Sequence, residues 1–183
     1  ALLASWCWMH PPVLQLWTGR CSYDQLAFLR ARGAHVRPTL HGLRIEADRA
    51  GVQALADWCA HLQMSRDINS ENLANCRTVR TADGTTYRRK FVTVTPDGQS
   101  MVRMDSSDYN WVYDPTNPNA EQENEHRGYV PMPNVNEALE RANLQRIDEE
   151  LPRYRQGLEE LSRMVDPSHR LALDPLVEEP AAL

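Results

Sequence analysis

Cys7 and His10 stand in a C-x-x-H spacing, with Cys21, His35 and His41 further along the chain. A zinc site needs four convergent ligands, and the sequence offers no second tight pair. The four cysteines, Cys7, Cys21, Cys59 and Cys76, therefore read as scattered thiols of a reducing compartment. Asp105, Asp108 and Asp114 would suit calcium or an acid–base pair. Each falls near a strand end, where Asp more commonly shapes a turn. Arg88, Arg89 and Lys90 would attract an anion, but on an alternating strand they read as a solvated edge that discourages stray pairing. His126, beside Glu125 in a polar stretch, has no evident partner. Phosphate-cradling glycine loops, H-E-x-x-H and G-x-S-x-G are absent. These residues predict no enzyme, no metal and no cofactor.

Composition narrows the classes further. The formal net charge of −5 over 183 residues leaves no electrostatic footprint for nucleic acid. No run approaches the roughly 18 apolar residues of a transmembrane helix. The opening "ALLASWCWMHPPVLQLW" is apolar, yet it lacks an initiator Met and a basic region, and Pro11 and Pro12 interrupt it. A fragment or a mis-set gene start is expected there rather than a clipped signal peptide.

The elements that must position the remaining residues follow from periodicity. Tyr23 to Arg32 reads as a short helix stopped by Gly33, and Val36 to Ile45 as a small hairpin turning at Gly42. Val52, Leu55, Cys59 and Leu62 step three, four, three along a helix predicted over about 49–74. After a loop, the stretch from Tyr87 alternates, with Phe91 and Thr93 on one face and Val92 and Val94 on the other; with residues 100–105 and 110–113 it reads as a small antiparallel meander with a Pro-Asp-Gly reversal. A second helix, about 137–165, carries Leu144, Ile147, Leu151, Tyr154, Leu158, Leu161 and Val165 at alternating steps of three and four, a heptad seam. Pro152 lies inside it and is expected to kink it. The expected fold class is α+β: two long amphipathic helices flanking a small antiparallel β insert, with a small N-terminal helix–hairpin extension. The corresponding divisions are an extension at 1–47, helices within 48–76 and 137–166, a β insert at 77–113, a Pro/Asn-rich connection at 114–136, and a loosely ordered tail at 167–183.

Two amphipathic seams without evident chemistry point to assembly, and three stretches sharpen that. "INSENLAN" ends the first helix, with Asn72, Leu73, Ala74 and Asn75 as its last four residues. "DGTTYRRKFV" opens the β insert. "VYDPTNPNA", with Tyr113 and Pro115, is followed by "GYVPMPNVN", with Gly128, Tyr129, Pro133 and Asn134. In this order they closely resemble the proximal-rod proteins of the bacterial flagellum, the FlgC type, over roughly residues 51–140.

The resemblance implies a structural subunit of the basal-body rod. It implies that the two helices form a D0-like pair, and that the chain leaves by the flagellar type III export apparatus without a cleaved signal. Its partners would be copies of itself and other rod proteins, and its place the basal body. The resemblance also implies that the Pro/Asn-rich connection returns the chain along a fixed path. About fifty residues precede the matching helix, "EQENEHR" looks like an insertion, and the second helix departs from the family beyond about Glu140. Those departures keep a second reading open: a protein–protein docking module outside any rod, suggested by the helix–hairpin look of residues 26–51. An enzyme with an unrecognised site is the third.

Overall fold

The computed structural model describes residues 12–19, 21–123 and 125–165. Three helices and seven short strands occupy them: β1 Val13–Leu16, α1 Tyr23–Ala31, β2 Val36–Thr39, β3 Gly42–Glu46, α2 Arg49–Ala74, β4 Lys90–Val94, β5 Ser100–Met104, β6 Asn110–Tyr113, β7 Tyr129–Met132 and α3 Glu137–Val165. Packing divides the chain into two compact units. One takes the chain up to Gln63 and again from Asp148; the other is Met64–Ile147. Both long helices contribute residues to each.

The first unit is built on a three-stranded antiparallel sheet in the order β1-β3-β2. Helix α1 starts at Ser22, whose hydroxyl accepts from the Gln25 amide at 3.1 Å, satisfying one of the helix's unpaired donors. It stops at Gly33, which adopts a positive φ of 79°. Its apolar face, Leu26, Phe28 and Leu29, is buried with Val36, Leu43 and Ile45 of the sheet. Phe28 meets Trp58 of α2 edge-on at 5.0 Å, and Trp58 meets Tyr154 of α3 at 6.3 Å. Sheet, α1, the first part of α2 and the last part of α3 therefore share one core.

Gly157, an unfavourable residue by helix propensity, has a packing reason. A Cβ there would lie 2.1 Å from Leu16 Cδ2, so the glycine is the seat on which β1 rests against α3. Pro152 lies within α3, which spans Glu137 to Val165 through it, with the ring on the exposed side.

The second unit holds two separate hairpins. Strands β4 and β5 pair through Lys90↔Met104 to Val94↔Ser100, around the Pro-Asp-Gly reversal. Strands β6 and β7 pair through Asn110↔Met132 to Tyr113↔Tyr129. The end of α2 and the beginning of α3 complete it.

The expected architecture is overturned here. Strand content is not confined to one insert between two long helices. Ahead of the first long helix, α1 and the β2–β3 hairpin are joined by a further strand, because residues 13–16 pair with β3 and make a three-stranded sheet. Strand β6 leaves the anticipated meander and pairs with β7, which arises within the Pro/Asn-rich connection. The alternation was read strand by strand, whereas pairing is set by which backbone donors lie opposite one another. The expected tail at 167–183 lies outside the described residues, as do Cys7 and His10.

Candidate functional site

The polar motif residues converge in the second unit. Asn72, on the last turns of α2, is wholly buried. Its Oδ1 accepts from the Lys90 amide and from the Tyr87 hydroxyl, both at 2.9 Å. Its Nδ2 donates to the Lys90 carbonyl at 2.8 Å and to Glu140 Oε2 at 3.1 Å. One side-chain amide thus pairs with Lys90 as a neighbouring strand would, and ties β4 to both helices. A buried amide is stable only when so satisfied.

Glu140, on the first turns of α3, is equally buried. Arg89 Nε donates to its Oε1 at 2.6 Å, and Arg89 Nη1 reaches Asp105 Oδ2 at 3.4 Å. Asn134 Oδ1 accepts from the Arg89 amide at 2.9 Å, and its Nδ2 donates to the Ser107 carbonyl at 3.3 Å. Lys90 Nζ pairs with Glu71 at 2.6 Å. Burial pushes the Tyr87 hydroxyl well above its ordinary range, reinforced by Glu71 and Glu140. Ser107, and secondarily Arg89, hold Asp105 below the usual carboxylate range.

Arg89 and Lys90 are therefore half-buried pins rather than the solvated edge expected of them. Arg88 lies over the Tyr109 ring at 4.1 Å.

The Pro/Asn-rich connection is tied down by its own chemistry. Asp114 Oδ1 accepts from the Thr116 hydroxyl and amide, at 2.8 and 3.3 Å, a turn built on an acidic side chain. The Asp114 amide donates to the Gly128 carbonyl at 2.9 Å, and the Gly128 amide to the Glu121 carbonyl at 2.9 Å. Gly128 has φ of 83°, where a side chain is strained, and a Cβ would meet the Tyr113 ring at 3.0 Å. Tyr113 and Tyr129 then meet edge-on at 5.1 Å. His126 has a partner that sequence did not reveal: its ring stacks on Trp111 at 3.8 Å. Pro133 is buried and Pro115 exposed, while Leu73 and Asn75 are half-buried and Ala74 is exposed. Asn75 Nδ2 donates back to the Glu71 carbonyl at 3.0 Å, and its Oδ1 accepts from Thr78 at 3.2 Å.

The seam residues divide between the units. In the first, Leu55, Cys59, Leu62, Leu151, Tyr154, Leu158 and Leu161 are all buried, between 0% and 7% exposed, so their apolar faces are already spent on the chain's own packing. Ile147 is buried in the second unit, whereas Val52, Leu144 and Val165 are half-buried. Burial pushes the Cys59 thiol up to about 12 and the Cys21 thiol up to about 11. Tyr154 accepts from Gln25 Nε2, and burial raises its hydroxyl to about 12.

Glu140, Tyr87 and Glu71 are members of the polar site that sequence reasoning left out, and Arg89 is one that it placed in solvent. A signal existed for Glu140. It precedes Leu144 by four and Ile147 by seven, so the seam run backwards places a carboxylate in the core, and a buried carboxylate needs a cation. Among the described residues, Asp105, Asp108 and Asp114 form no metal-competent group; the group with that geometry is His35, Glu46 and Asp48.

What this constellation does chemically is fasten: its carboxylates, amides and guanidinium are engaged with one another across helix ends and strand starts. In this fold the polar motif residues are joints. The flagellar basal-body rod protein FlgC of Bacillus subtilis (strain 168) is 34% identical over 130 residues, covering 57% of this chain and 78% of the relative. That of Borreliella burgdorferi is 31% identical over 93 residues, covering 38% of this chain and 61% of the relative. No family model matches the chain. The chain belongs to the FlgC family of flagellar basal-body rod proteins.

Proposed function

We propose that the chain is a self-assembling structural subunit of the basal-body rod, delivered by the flagellar export apparatus and joined there to copies of itself and to other rod proteins. The observation carrying this reading is the match to the Bacillus subtilis relative over 78% of its length, together with motif residues that act as internal joints. In this reading the seam from Val52 to Leu62 and from Leu144 to Val165 supplies a D0-like helical pair of coiled-coil character within each subunit. Its half-buried members, Val52, Leu144 and Val165, extend that apolar surface to neighbours. The hairpins add exposed apolar residues, among them Met104 (68%), Val112 (51%) and Tyr113 (65%). Burying such surface contributes roughly 25 cal/mol per Å², enough in aggregate to drive association.

The test is incorporation. Leu144→Asp and Met104→Asp alter surfaces the core does not need, so both variants should keep the native circular dichroism. Both should be depleted from purified basal bodies. Normal incorporation of both folded variants would remove the seam and the hairpin from assembly. Wild-type chain found only outside the basal-body fraction would leave the docking-module reading in its place.

A further inference from the structure

We propose that His35, Glu46 and Asp48 form a binding site for one divalent transition-metal ion of the zinc, nickel or cobalt type. The three sit where β2 begins, β3 ends and α2 is capped. His35 Nδ1 lies 3.5 Å from Glu46 Oε2 and 3.9 Å from Asp48 Oδ2, and one donor atom from each residue falls within 4.8 Å of the other two. Two nitrogen or oxygen ligands on one such ion, each at about 2.1 Å, stand roughly 3.0–3.4 Å apart. Closing the set therefore takes about 0.5 Å between the imidazole and each carboxylate and up to about 1.5 Å between the two carboxylates, within reach of side-chain rotation at an exposed histidine and two half-buried carboxylates.

The framework holding the donors is rigid for reasons independent of any ion. The Glu46 amide donates to the His35 carbonyl at 3.1 Å, and the Asp48 amide to the Glu46 carbonyl at 3.0 Å. Asp48 Oδ1 accepts from the Gly51 amide at 2.6 Å, which orients the carboxylate and leaves Oδ2 turned toward the imidazole. Gly51 is required at that approach, since a Cβ there would lie 2.5 Å from the Glu46 carbonyl oxygen. One carboxylate oxygen fixed by a backbone donor while the other ligates is the arrangement that gives metal-binding carboxylates their orientation.

The His35 side chain is 71% exposed, so the site opens to solvent. Three protein ligands leave coordination positions for water. A single imidazole beside two carboxylates selects transition metals over magnesium and calcium. Bound there, the ion would tie the β2–β3 hairpin to the start of α2.

The experiment is calorimetric titration of the untagged full chain with Ni²⁺ and with Zn²⁺, with Mg²⁺ as the contrast. One equivalent of Ni²⁺ or Zn²⁺ should bind, with no heat from Mg²⁺. His35→Ala should weaken it at least about tenfold. Asp48→Asn should do the same while leaving the fold intact, because Asn caps a helix as well as Asp. His41→Ala should leave affinity unchanged. The Co²⁺ complex should show no thiolate charge-transfer band. Absence of binding, unchanged affinity in either of the first two variants, or a thiolate band would overturn the assignment and leave His35 and its carboxylates as a surface contact.

Discussion

Asn72 shows how much one residue type decides. A leucine has the same branched outline and suits a buried helix face, yet it can neither accept nor donate. Asn72→Leu would strand the Lys90 amide and carbonyl, the Tyr87 hydroxyl and one oxygen of Glu140. Each orphaned buried group costs about 1–3 kcal/mol, and neighbours do not add simply. A loss of at least about 3 kcal/mol is expected in urea denaturation; a loss under about 1 kcal/mol would show that the network is dispensable. His61 gives a second residue-scale expectation. Burial, and then the nearby Arg32 charge, lower its pKa below the ordinary value of about 6.5, with its ring stacked on Trp58 at 5.1 Å. The folded chain thus binds that proton less readily than the unfolded one. Stability from the neutral imidazole is complete above about pH 6.5 and is lost as pH falls below it. Melting temperature should drop between pH 7.5 and 5.5, and His61→Phe should flatten that drop. An unchanged slope in the variant would assign the pH dependence to other groups.

At the scale of elements, the most informative contact is Leu16 of β1 on Gly157 of α3. Gly157→Val should be destabilising by about 1–3 kcal/mol through overpacking. Leu16→Ala, itself costing about 2–5 kcal/mol through the cavity it opens, should recover part of that loss when the two are combined. Strict additivity of the two changes would mean that the strand and helix do not press on one another. This contact also shows where legibility in the sequence ended. Steps of three and four marked out α2 and α3, because one apolar stripe per helix is written directly into residue order. Nothing in "VLQLW" said that it would pair with residues 43–46 thirty positions later, or that a helix glycine was waiting for its leucine. Strand partners and glycine seats are properties of non-local pairs, and a single stripe carries no record of them. The polar site was legible in the same partial way. Asn72 and Asn134 stood in the recognised motifs, whereas Arg89 was assigned to solvent and Glu140 was passed over within a charged stretch.

At the scale of the molecule, residues 12–19 and 21–47 are structural to the first unit rather than an appendage. Leu16, Phe28, Leu29, Val36, Leu43 and Ile45 are all 5% exposed or less, and they share their core with Leu55, Trp58 and Leu62 of α2 and with Tyr154, Leu158 and Leu161 of α3. Removing them uncovers several large apolar side chains on both helices, each worth about 1.5–3 kcal/mol when buried, which exceeds the margin of an ordinary domain. The second unit has a different foundation: its hairpins, the Asn72–Glu140–Arg89 network, and buried Tyr87, Val130 and Ile147. A chain beginning at Gly51 should therefore lose hydrogen-exchange protection over residues 54–62 and 151–161 while keeping it in β4 through β7. Because local openings report the contacts that oppose them, the two outcomes separate cleanly. Full protection of both helical segments in the shortened chain would mean that the seam is sufficient alone and that the N-terminal sheet merely rests on it. Loss of protection throughout would mean that the second unit depends on the core of the first.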